Sequence, residues 1–409
     1  MKYLMLLVGS VMLLCLGTAG AWSVFIPPLQ QAHGYSSFQL QFIFTTAVIN
    51  FALMMIIGGR LYDRHGARPL VILSAVTLFT AWGLAARWGH HYPLLWLSIG
   101  VLGSAGSALC YVCPIAIAMH WFPHRRGLVG GLTATGYAGG PILLSLLAHH
   151  LMRQNWTPAE VFALVGFIYA PVVLICGLAL KQPPGHPLPL TYQTFQRRTL
   201  IRDRRFWALF AGMFAGTLPY LVVMANAKPL GLAFALSDRT ATMIITIMAA
   251  GNVSGRILWG MVNDRAGPRI AMLLMHGLTM LSLFMILLAG VGPAGLLLPA
   301  GLLLGICYGG NFSVYPATSA RLFGPHVLGS VYPFIMLAQG IASLATAVNG
   351  WMLDRYGHPY AGLFFATGCT AVAAVCCFLL SRRLEHPGVP QAAPAADDEE
   401  AADLVSGTP

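Results

Sequence analysis

The chain has 409 residues, of which 57% are hydrophobic and 9% are charged, and its mean hydropathy is +0.72. Soluble domains carry roughly a quarter charged residues, so this composition excludes a water-soluble, a disordered and a secreted disulfide-rich protein. The 45 glycines and 26 prolines are typical of transmembrane helices, in which both residues are commoner than in soluble ones. The sequence therefore predicts an all-α protein embedded in a lipid bilayer.

Twelve apolar runs follow one another along the chain, and a transmembrane helix needs about 20 such residues. They cover residues 4–26, 38–59, 69–86, 93–120, 127–150, 158–180, 206–231, 239–262, 269–290, 293–320, 326–350 and 358–380. The first run continues past small residues that resemble a signal-peptide cleavage site, so we expect a retained first helix. Ser36 followed by Gln39 predicts a capping box at the start of the second.

The positive charges predict the orientation of these helices. Of the 23 Lys and Arg residues, 17 fall on the side that carries Lys2, four fall on the other side, and Lys228 and Arg256 lie within apolar runs. Because Lys and Arg are enriched in cytoplasmic loops, we expect both termini to be cytoplasmic and the protein to lie in the cell (inner or plasma) membrane. The net charge of +11 is then a topology signal that requires no nucleic-acid partner.

The chain divides into two similar halves. We predict an N-terminal six-helix bundle over 1–180, a basic cytoplasmic linker over 181–205, a C-terminal six-helix bundle over 206–382 and a disordered, acidic cytoplasmic tail over 383–409. A loop after the second run, residues 59–69, is repeated after the eighth run at 260–269, and the aspartates of the two copies, Asp63 and Asp264, are 201 positions apart. Phe122 and Phe323 keep the same offset, which indicates a duplication and parallel halves with a site at their interface.

The repeated motif carries a resemblance to a known family. The pattern Gly59-x-Leu61-x-Asp63-Arg64-x-Gly66-x-Arg68 resembles the signature loop of the major facilitator superfamily. Within it, residues 21–27, 121–127 and 133–137, together with Arg256, resemble the oxalate/formate antiporter and monocarboxylate transporter group. The resemblance implies the twelve-helix fold of that superfamily, with two pseudo-symmetric six-helix bundles, and transport by alternating access.

Both motif copies place a carboxylate beside arginines at helix ends. We expect an ion-pair cluster there that holds one face shut and breaks when the halves rock. The predicted gating residues are Asp63, Arg64, Arg68, Asp264, Arg265 and Arg269. The alternative is that the arginines only anchor helix ends in the lipid headgroups.

Arg256 is the strongest candidate for substrate binding. A cation within a membrane helix costs at least ~2.5 to 3.5 kcal/mol, and no Asp or Glu lies in the middle of an apolar run. An anionic substrate would supply the missing partner, since a guanidinium binds a carboxylate through two hydrogen bonds; the alternative is pairing with backbone carbonyls. Asn252 lies one turn earlier on the same face, where the resemblance places Asp in proton-coupled carriers and Asn in antiporter-like ones. This favours anion exchange or uniport over proton symport.

Five further residues complete the predicted site. The resemblance to the oxalate/formate antiporter group places Gln339 where the dicarboxylate exchangers of that group have Lys. Arg256 is then the only cation of the predicted site, which favours a monocarboxylate such as lactate, pyruvate or formate over oxalate. The same resemblance places four aromatic residues in the cavity wall, although packing is the commoner role of such residues: Trp22, Tyr111, Tyr308 and Phe312. Lys228 either attracts substrate or anchors its helix in the headgroups.

No enzyme chemistry is indicated. The eight cysteines lie within apolar runs, where a thiol behaves as a small hydrophobe, and no acid/base pair or metal-ligand set converges within the helices. We therefore predict no catalysis, no cofactor and no metal, and expect a monomer whose partners are a small organic anion and the lipid bilayer. The alternatives are a carrier of another solute, such as a drug, an amino acid or a dicarboxylate, and a membrane sensor that binds ligand without net transport.

Overall fold

A computed structural model describes residues 1–122, 126–183, 197–323 and 328–381. Within these ranges the side chains of 63, 126–128, 130, 131, 197–199, 320, 328–330, 380 and 381 are not described. The predicted tail and most of the predicted linker lie outside the described residues.

The described residues form helices and no strands. Their bounds are α1 Lys2–Leu16, α2 Ile26–His33, α3 Ser37–His65, α4 Ala67–Trp88, α5 Tyr92–Leu95, α6 Ser104–Trp121, α7 Arg126–Arg153, α8 Pro158–Ala179, α9 Arg197–Arg202, α10 Arg204–Ala225, α11 Ala227–Ala233, α12 Asp238–Ala266, α13 Pro268–Val291, α14 Leu297–Phe323, α15 Leu328–Tyr356 and α16 Tyr360–Ser381. A 3₁₀ turn, Thr18–Val24, follows α1, and a π-helical segment, Trp96–Gly103, joins α5 to α6.

Eleven helical segments of the described chain are long and apolar enough to cross a membrane. The twelfth predicted run, at 127–150, is α7, which has 28 residues and is rich in glycine. The helix in the seventh run is shorter than predicted. It breaks at Asn226, and the chain continues as the separate short helix α11.

The duplication is visible in the backbone of α3 and α12. Both have 29 residues, and both begin after a serine whose side chain accepts a hydrogen bond from the backbone N–H of the third residue of the helix. The capping box predicted for Ser36 and Gln39 is confirmed, with bonds of 2.9 and 3.1 Å. Both helices end at a motif glycine with positive φ, 74° at Gly66 and 83° at Gly267, a conformation that is essentially restricted to glycine when ψ is extended.

These bounds correct one prediction. The motif was expected in a loop, whereas residues 59–65 and 260–266 form the last turns of α3 and α12. The polar residues there ended the apolar run but are compatible with a helix, and the chain turns only at Gly66 and Gly267.

Glycines let the helices that carry the central residues approach closely. A Cβ added at Gly255 of α12 would lie 2.0 Å from the carbonyl oxygen of Ile306 in α14, and one at Gly309 of α14 would lie 2.2 Å from that of Asn252. In the other half, a Cβ at Gly136 of α7 would lie 2.3 Å from the carbonyl oxygen of Ser10 in α1. Such contacts are typical of membrane helices joined by small residues, and they bring α12 and α14 together at the level of Arg256.

We refer to α1–α8 as the N half and to α10–α16 as the C half. The proximal end of the bundle is the one at which Lys2 contacts Phe122 and Lys181 accepts a hydrogen bond from Trp121. The distal end is the one at which α3 and α12 begin and α15 ends. The charge pattern of the sequence predicts that the proximal end is cytoplasmic.

Candidate functional site

A central cavity of about 130 Å³ lies between the two halves. Both halves contribute to its wall, through the 3₁₀ turn and helices α3, α6 and α7 on one side and α10, α12, α14 and α15 on the other. All seven residues predicted to bind substrate line it: Trp22, Tyr111, Asn252, Arg256, Tyr308, Phe312 and Gln339.

Arg256 is buried at the wall of this cavity, with 9% of its surface exposed. Its Nε donates a 3.4 Å hydrogen bond to Oδ1 of Asn252, and its Cζ lies 4.6 Å from the centre of the Phe312 ring. The hydroxyl of Ser313 donates to the Arg256 carbonyl oxygen at 2.7 Å, which ties α14 to α12. Among the described residues the guanidinium bonds no backbone carbonyl, and no acidic side chain lines the cavity.

The walls beside Arg256 are aromatic on both sides. In the C half the rings of Tyr220 and Tyr308 stack with centroids 3.7 Å apart and an angle of 2°, and Phe312 meets Tyr308 edge-on at 5.2 Å. In the N half Tyr111 and Tyr137 meet edge-on at 5.1 Å. The cavity therefore combines one guanidinium with tyrosine hydroxyls that can either donate or accept hydrogen bonds.

Most of the residues that line the cavity were not identified from the sequence, among them the aromatic residues Phe51, Tyr137 and Tyr220. Tyr137 falls in the stretch 133–137 that carries the resemblance, so a signal for it existed. Phe51 and Tyr220 stand in apolar runs like many other aromatic residues, and no local pattern distinguishes them.

Two residues predicted to bind substrate donate hydrogen bonds to other residues of the protein. Nε2 of Gln339 donates to the Tyr308 hydroxyl at 3.2 Å, so this side chain pairs with a neighbouring helix and lines the cavity as well. The indole Nε1 of Trp22 donates to the Leu40 carbonyl oxygen at 2.9 Å. This bond fixes the Trp22 ring and occupies its only donor.

The predicted gating residues lie at the proximal end. Arg64, Arg68, Asp264 and Arg265 are exposed, and Asp264 forms no ion pair with a described side chain. Arg269 is half-buried, with its Cζ 6.0 Å from the centre of the Phe378 ring. The side chain of Asp63 lies outside the described residues, so the gating cluster stays a prediction.

The distal end is held together by polar contacts between the halves. The two carboxylate oxygens of Asp354, near the end of α15, accept hydrogen bonds from the backbone N–H groups of Ser37 and Phe38 at 2.8 and 2.7 Å. Thr45 bonds Thr346 at 2.5 Å and the Ser343 carbonyl oxygen at 3.0 Å. We call this set the distal seam, together with Gln41, which bonds Asn226 and Asn349.

An ion pair extends the distal seam and changes the interpretation of Lys228. Its Nζ lies 2.8 Å from Oδ1 of Asp238, and Oδ2 of the same carboxylate lies 3.2 Å from Nδ1 of His149 in the N half. Lys228 is 5% exposed, so it is a buried ion-pair partner rather than a headgroup anchor. The sequence did not indicate the contact between His149 and Asp238, because these two residues are 89 positions apart.

The sequence of the chain is similar to those of known membrane transporters. Residues 7–347 match the sequence model of the Major Facilitator Superfamily. The oxalate:formate antiporter of Oxalobacter formigenes is 24% identical over 385 residues, covering 92% of this chain and 91% of the antiporter. Apicoplast pyruvate carrier 1 of Toxoplasma gondii is 25% identical over 398 residues, covering 80% of this chain and 72% of the carrier.

Solved structures show the same fold at low sequence identity. A D-xylose–proton symporter superposes with a TM-score of 0.72 at 16% identity, covering 92% of this chain and 97% of the symporter. A bacterial homolog of the human lysosomal transporter Spinster, in an inward-facing and occupied conformation, superposes with a TM-score of 0.71 at 16% identity, covering 93% of this chain and 96% of that one.

Proposed function

The chain belongs to the Major Facilitator Superfamily, a family of multi-pass membrane transporters, and we propose that it carries a small organic anion with one carboxylate. Lactate, pyruvate and formate are cargoes of this class. The proposal names Arg256 as the residue that binds the carboxylate, with Asn252 orienting the guanidinium and the surrounding aromatic rings enclosing the rest of the cargo.

The single observation that carries the proposal is the charge of the cavity. Arg256 is buried, its only described side-chain hydrogen bond is with neutral Asn252, and the described cavity wall contains no carboxylate. A buried charge without a counter-ion is costly, so an anion that enters the cavity gains an ion pair that the protein itself leaves unmade. The planar guanidinium can bind both oxygens of one carboxylate.

Two relatives support the same class of cargo. The antiporter from Oxalobacter formigenes is named for oxalate and formate, and the carrier from Toxoplasma gondii is named for pyruvate. Gln339 supports a cargo with one carboxylate, since its amide offers hydrogen bonds but no second positive charge.

Transport by alternating access would use the two ends of the bundle in turn. The distal seam closes one end, and the proposed cluster of Asp63, Arg64, Arg68, Asp264, Arg265 and Arg269 closes the other after the halves rock. The exposed positions of Arg64, Arg68, Asp264 and Arg265 are consistent with a conformation in which this second contact is open. The absence of an acidic residue from the described cavity wall supports anion exchange or uniport.

The test is uptake of radiolabelled lactate, pyruvate or formate by proteoliposomes that contain the purified protein. We expect Arg256→Ala and Arg256→Lys to abolish uptake, because neither can bind a carboxylate through a planar fork. Arg239→Lys is the matched control, since Arg239 is an exposed arginine at the distal end of the same helix. Uptake that survives in the Arg256 variants at normal expression contradicts the proposal.

The rival functions separate in the same vesicles. Competition by oxalate that exceeds competition by all monocarboxylates would indicate a dicarboxylate carrier, and competition only by drugs or amino acids would indicate another cargo. Uptake that occurs only into vesicles preloaded with unlabelled anion identifies an exchanger, whereas uptake into empty vesicles as well identifies a uniporter. Binding without counterflow identifies a sensor. Proton movement driven by the cargo gradient would identify a symporter.

A further inference from the structure

Helices α3 and α12 are equivalent in the two halves but bring opposite chemistry to the central cavity. The 201-residue offset of the repeat relates Phe51 of α3 to Asn252 of α12, and Met55 to Arg256. The polar pair on α12 thus has two apolar residues as its counterpart on α3. Among the described residues that line the cavity, Arg256 alone carries a charge, so the charge of the site comes from the C half.

One face of α3 lines the cavity with apolar side chains over more than two turns. Its members follow the spacing of one helix face, and we call them the apolar stripe: Ile43, Phe44, Ala47, Val48 and Phe51. At 1.5 Å per residue the stripe extends for about 12 Å, which is longer than lactate or pyruvate. Its first four members are buried, so a group that lies against them is removed from water.

The size of the cavity agrees with a cargo of that length. One water molecule needs roughly 10 to 15 Å³ of such space. The cavity of about 130 Å³ therefore accommodates about ten groups of that size, which is more non-hydrogen atoms than lactate, pyruvate or formate contains.

The rest of the N-half wall offers few hydrogen bonds to a polar cargo. The hydroxyls of Ser104 and Ser107 donate to carbonyl oxygens of the preceding turn at 2.7 and 3.0 Å, and the indole N–H of Trp22 is bonded to a backbone carbonyl. The Tyr137 hydroxyl interacts electrostatically with Arg256, so it belongs to the carboxylate end of the site. A hydroxyl or a second carboxylate placed along the apolar stripe would lose its hydration without a charged partner in return.

We propose that the cargo is a monocarboxylate with an extended apolar body, such as an alkyl chain. The carboxylate binds Arg256 on the C-half wall, and the hydrocarbon lies along the apolar stripe of the N half. Each methylene group buried there raises the affinity about fourfold. The inference rests on the proposed function, because it requires the carboxylate at Arg256, and it narrows the class of cargo.

The experiment measures how affinity depends on the length of the chain. Straight-chain carboxylates from acetate to hexanoate are titrated into the full-length protein in lipid nanodiscs at neutral pH, and the Kd of each is obtained by calorimetry. We expect the Kd to fall about fourfold for each added methylene group and hexanoate to bind more tightly than lactate. Hexanamide has the same chain without a charge, so it measures partition into the lipid and should not bind the protein.

Variants assign the dependence to the apolar stripe. Val48→Thr keeps the shape of the side chain but adds a hydroxyl, so it should weaken hexanoate binding about fivefold and leave the Kd of acetate, which has no chain to place there. Ala47→Leu fills the same space and should also weaken hexanoate binding, which provides a second test if the first variant folds poorly. Val76→Thr is the matched control, because Val76 is exposed on α4 and does not line the cavity.

Two results would overturn the proposal and leave the proposed function intact. One is Arg256-dependent binding with the same Kd for every chain length, or with hexanamide as tight as hexanoate. The other is a chain-length dependence that is unchanged in both Val48→Thr and Ala47→Leu. If no carboxylate binds, the proposed function fails and this inference fails with it.

Discussion

The guanidinium of Arg256 lies over the face of the Phe312 ring, with its Cζ 4.6 Å from the ring centre. The two residues face each other because α12 and α14 approach closely at Gly255 and Gly309. The negative face of an aromatic ring attracts a cation, and the attraction reaches ~2 kcal/mol where water is excluded. Phe312 therefore holds the guanidinium at the cavity wall, and Nε is the only guanidinium nitrogen with a hydrogen-bond partner among the described residues.

Replacing Phe312 should weaken anion binding. We expect Phe312→Leu to raise the KM for anion uptake by about three- to thirtyfold, which corresponds to the loss of a cation–π contact. Phe312→Tyr keeps the ring and should stay close to the parent. The measurement is the initial uptake rate in proteoliposomes as a function of anion concentration, and equal KM values for the Leu and Tyr variants would refute the role of the ring.

Removing the Asp354 carboxylate should open the distal seam. Its two oxygens accept hydrogen bonds from the first turn of α3 in the other half, and hydrogen bonds to charged groups contribute ~1.5 to 3 kcal/mol each. We expect Asp354→Ala to lower the ratio of closed to open protein about tenfold or more, measured by double electron–electron resonance between spin labels at Trp156 and Tyr356, which are both exposed at the distal end. Asp354→Asn should have a smaller effect, since its amide has one acceptor oxygen.

Glu160 provides the control for that prediction. It also caps a helix at the distal end, but it bonds Thr157 of its own helix terminus and spans no interface. Glu160→Gln should leave the distal distance unchanged. A shift as large as that of Asp354→Ala would mean that loss of any cap, rather than of a contact between halves, opens this end.

A side chain at Gly255 should destabilise the C half. The added Cβ would lie 2.0 Å from a backbone oxygen of α14, so the two helices would have to separate. We expect Gly255→Ala to cost roughly 1 to 3 kcal/mol, as overpacking does, and to lower the thermal unfolding midpoint in detergent. Gly277→Ala in α13 has no atom within 4 Å of the new Cβ and should not lower it; equal midpoints for the two variants would contradict the close packing.

A second cation at position 339 should change the preferred cargo. Gln339 lines the same cavity as Arg256, so Gln339→Lys offers a partner to a second carboxylate. We expect competition by oxalate relative to lactate to rise about tenfold, the effect of one charge-assisted bond. Gln339→Met has a similar length without a charge and should show no gain. An unchanged preference in the Lys variant would show that position 339 does not contact the cargo.

The sequence predicted the features that local patterns encode. Apolar runs predicted the membrane helices, the 201-residue offset between Asp63 and Asp264 predicted the duplication, and the motif identified the family. The ends of α3 and α12 were predicted too early, because the polar residues of the motif lower the hydropathy without interrupting the helix.

The contacts between the halves could not be predicted in the same way. The carboxylate of Asp354 bonds the backbone of Ser37, 317 positions away, and backbone donors carry no sequence signature. The pairing of His149 with Asp238 and the stacking of Tyr220 on Tyr308 likewise join residues of distant helices. Arg256 was the exception: its lack of an acidic partner followed from the positions of all the acids in the chain, and the described cavity wall agrees.

Arg256 is the only cationic side chain among the described residues of the cavity wall, and its charge also has an electrical consequence. With a monovalent anion bound, Arg256 and its cargo sum to zero, whereas the empty site carries a net charge of +1. Moving one full elementary charge through a membrane potential of 100 mV changes the free energy by ~2.3 kcal/mol. On the proposed function, the loaded carrier would reorient independently of voltage and the empty carrier would be driven or held back by it. A one-for-one exchange of monovalent anions would then generate no current.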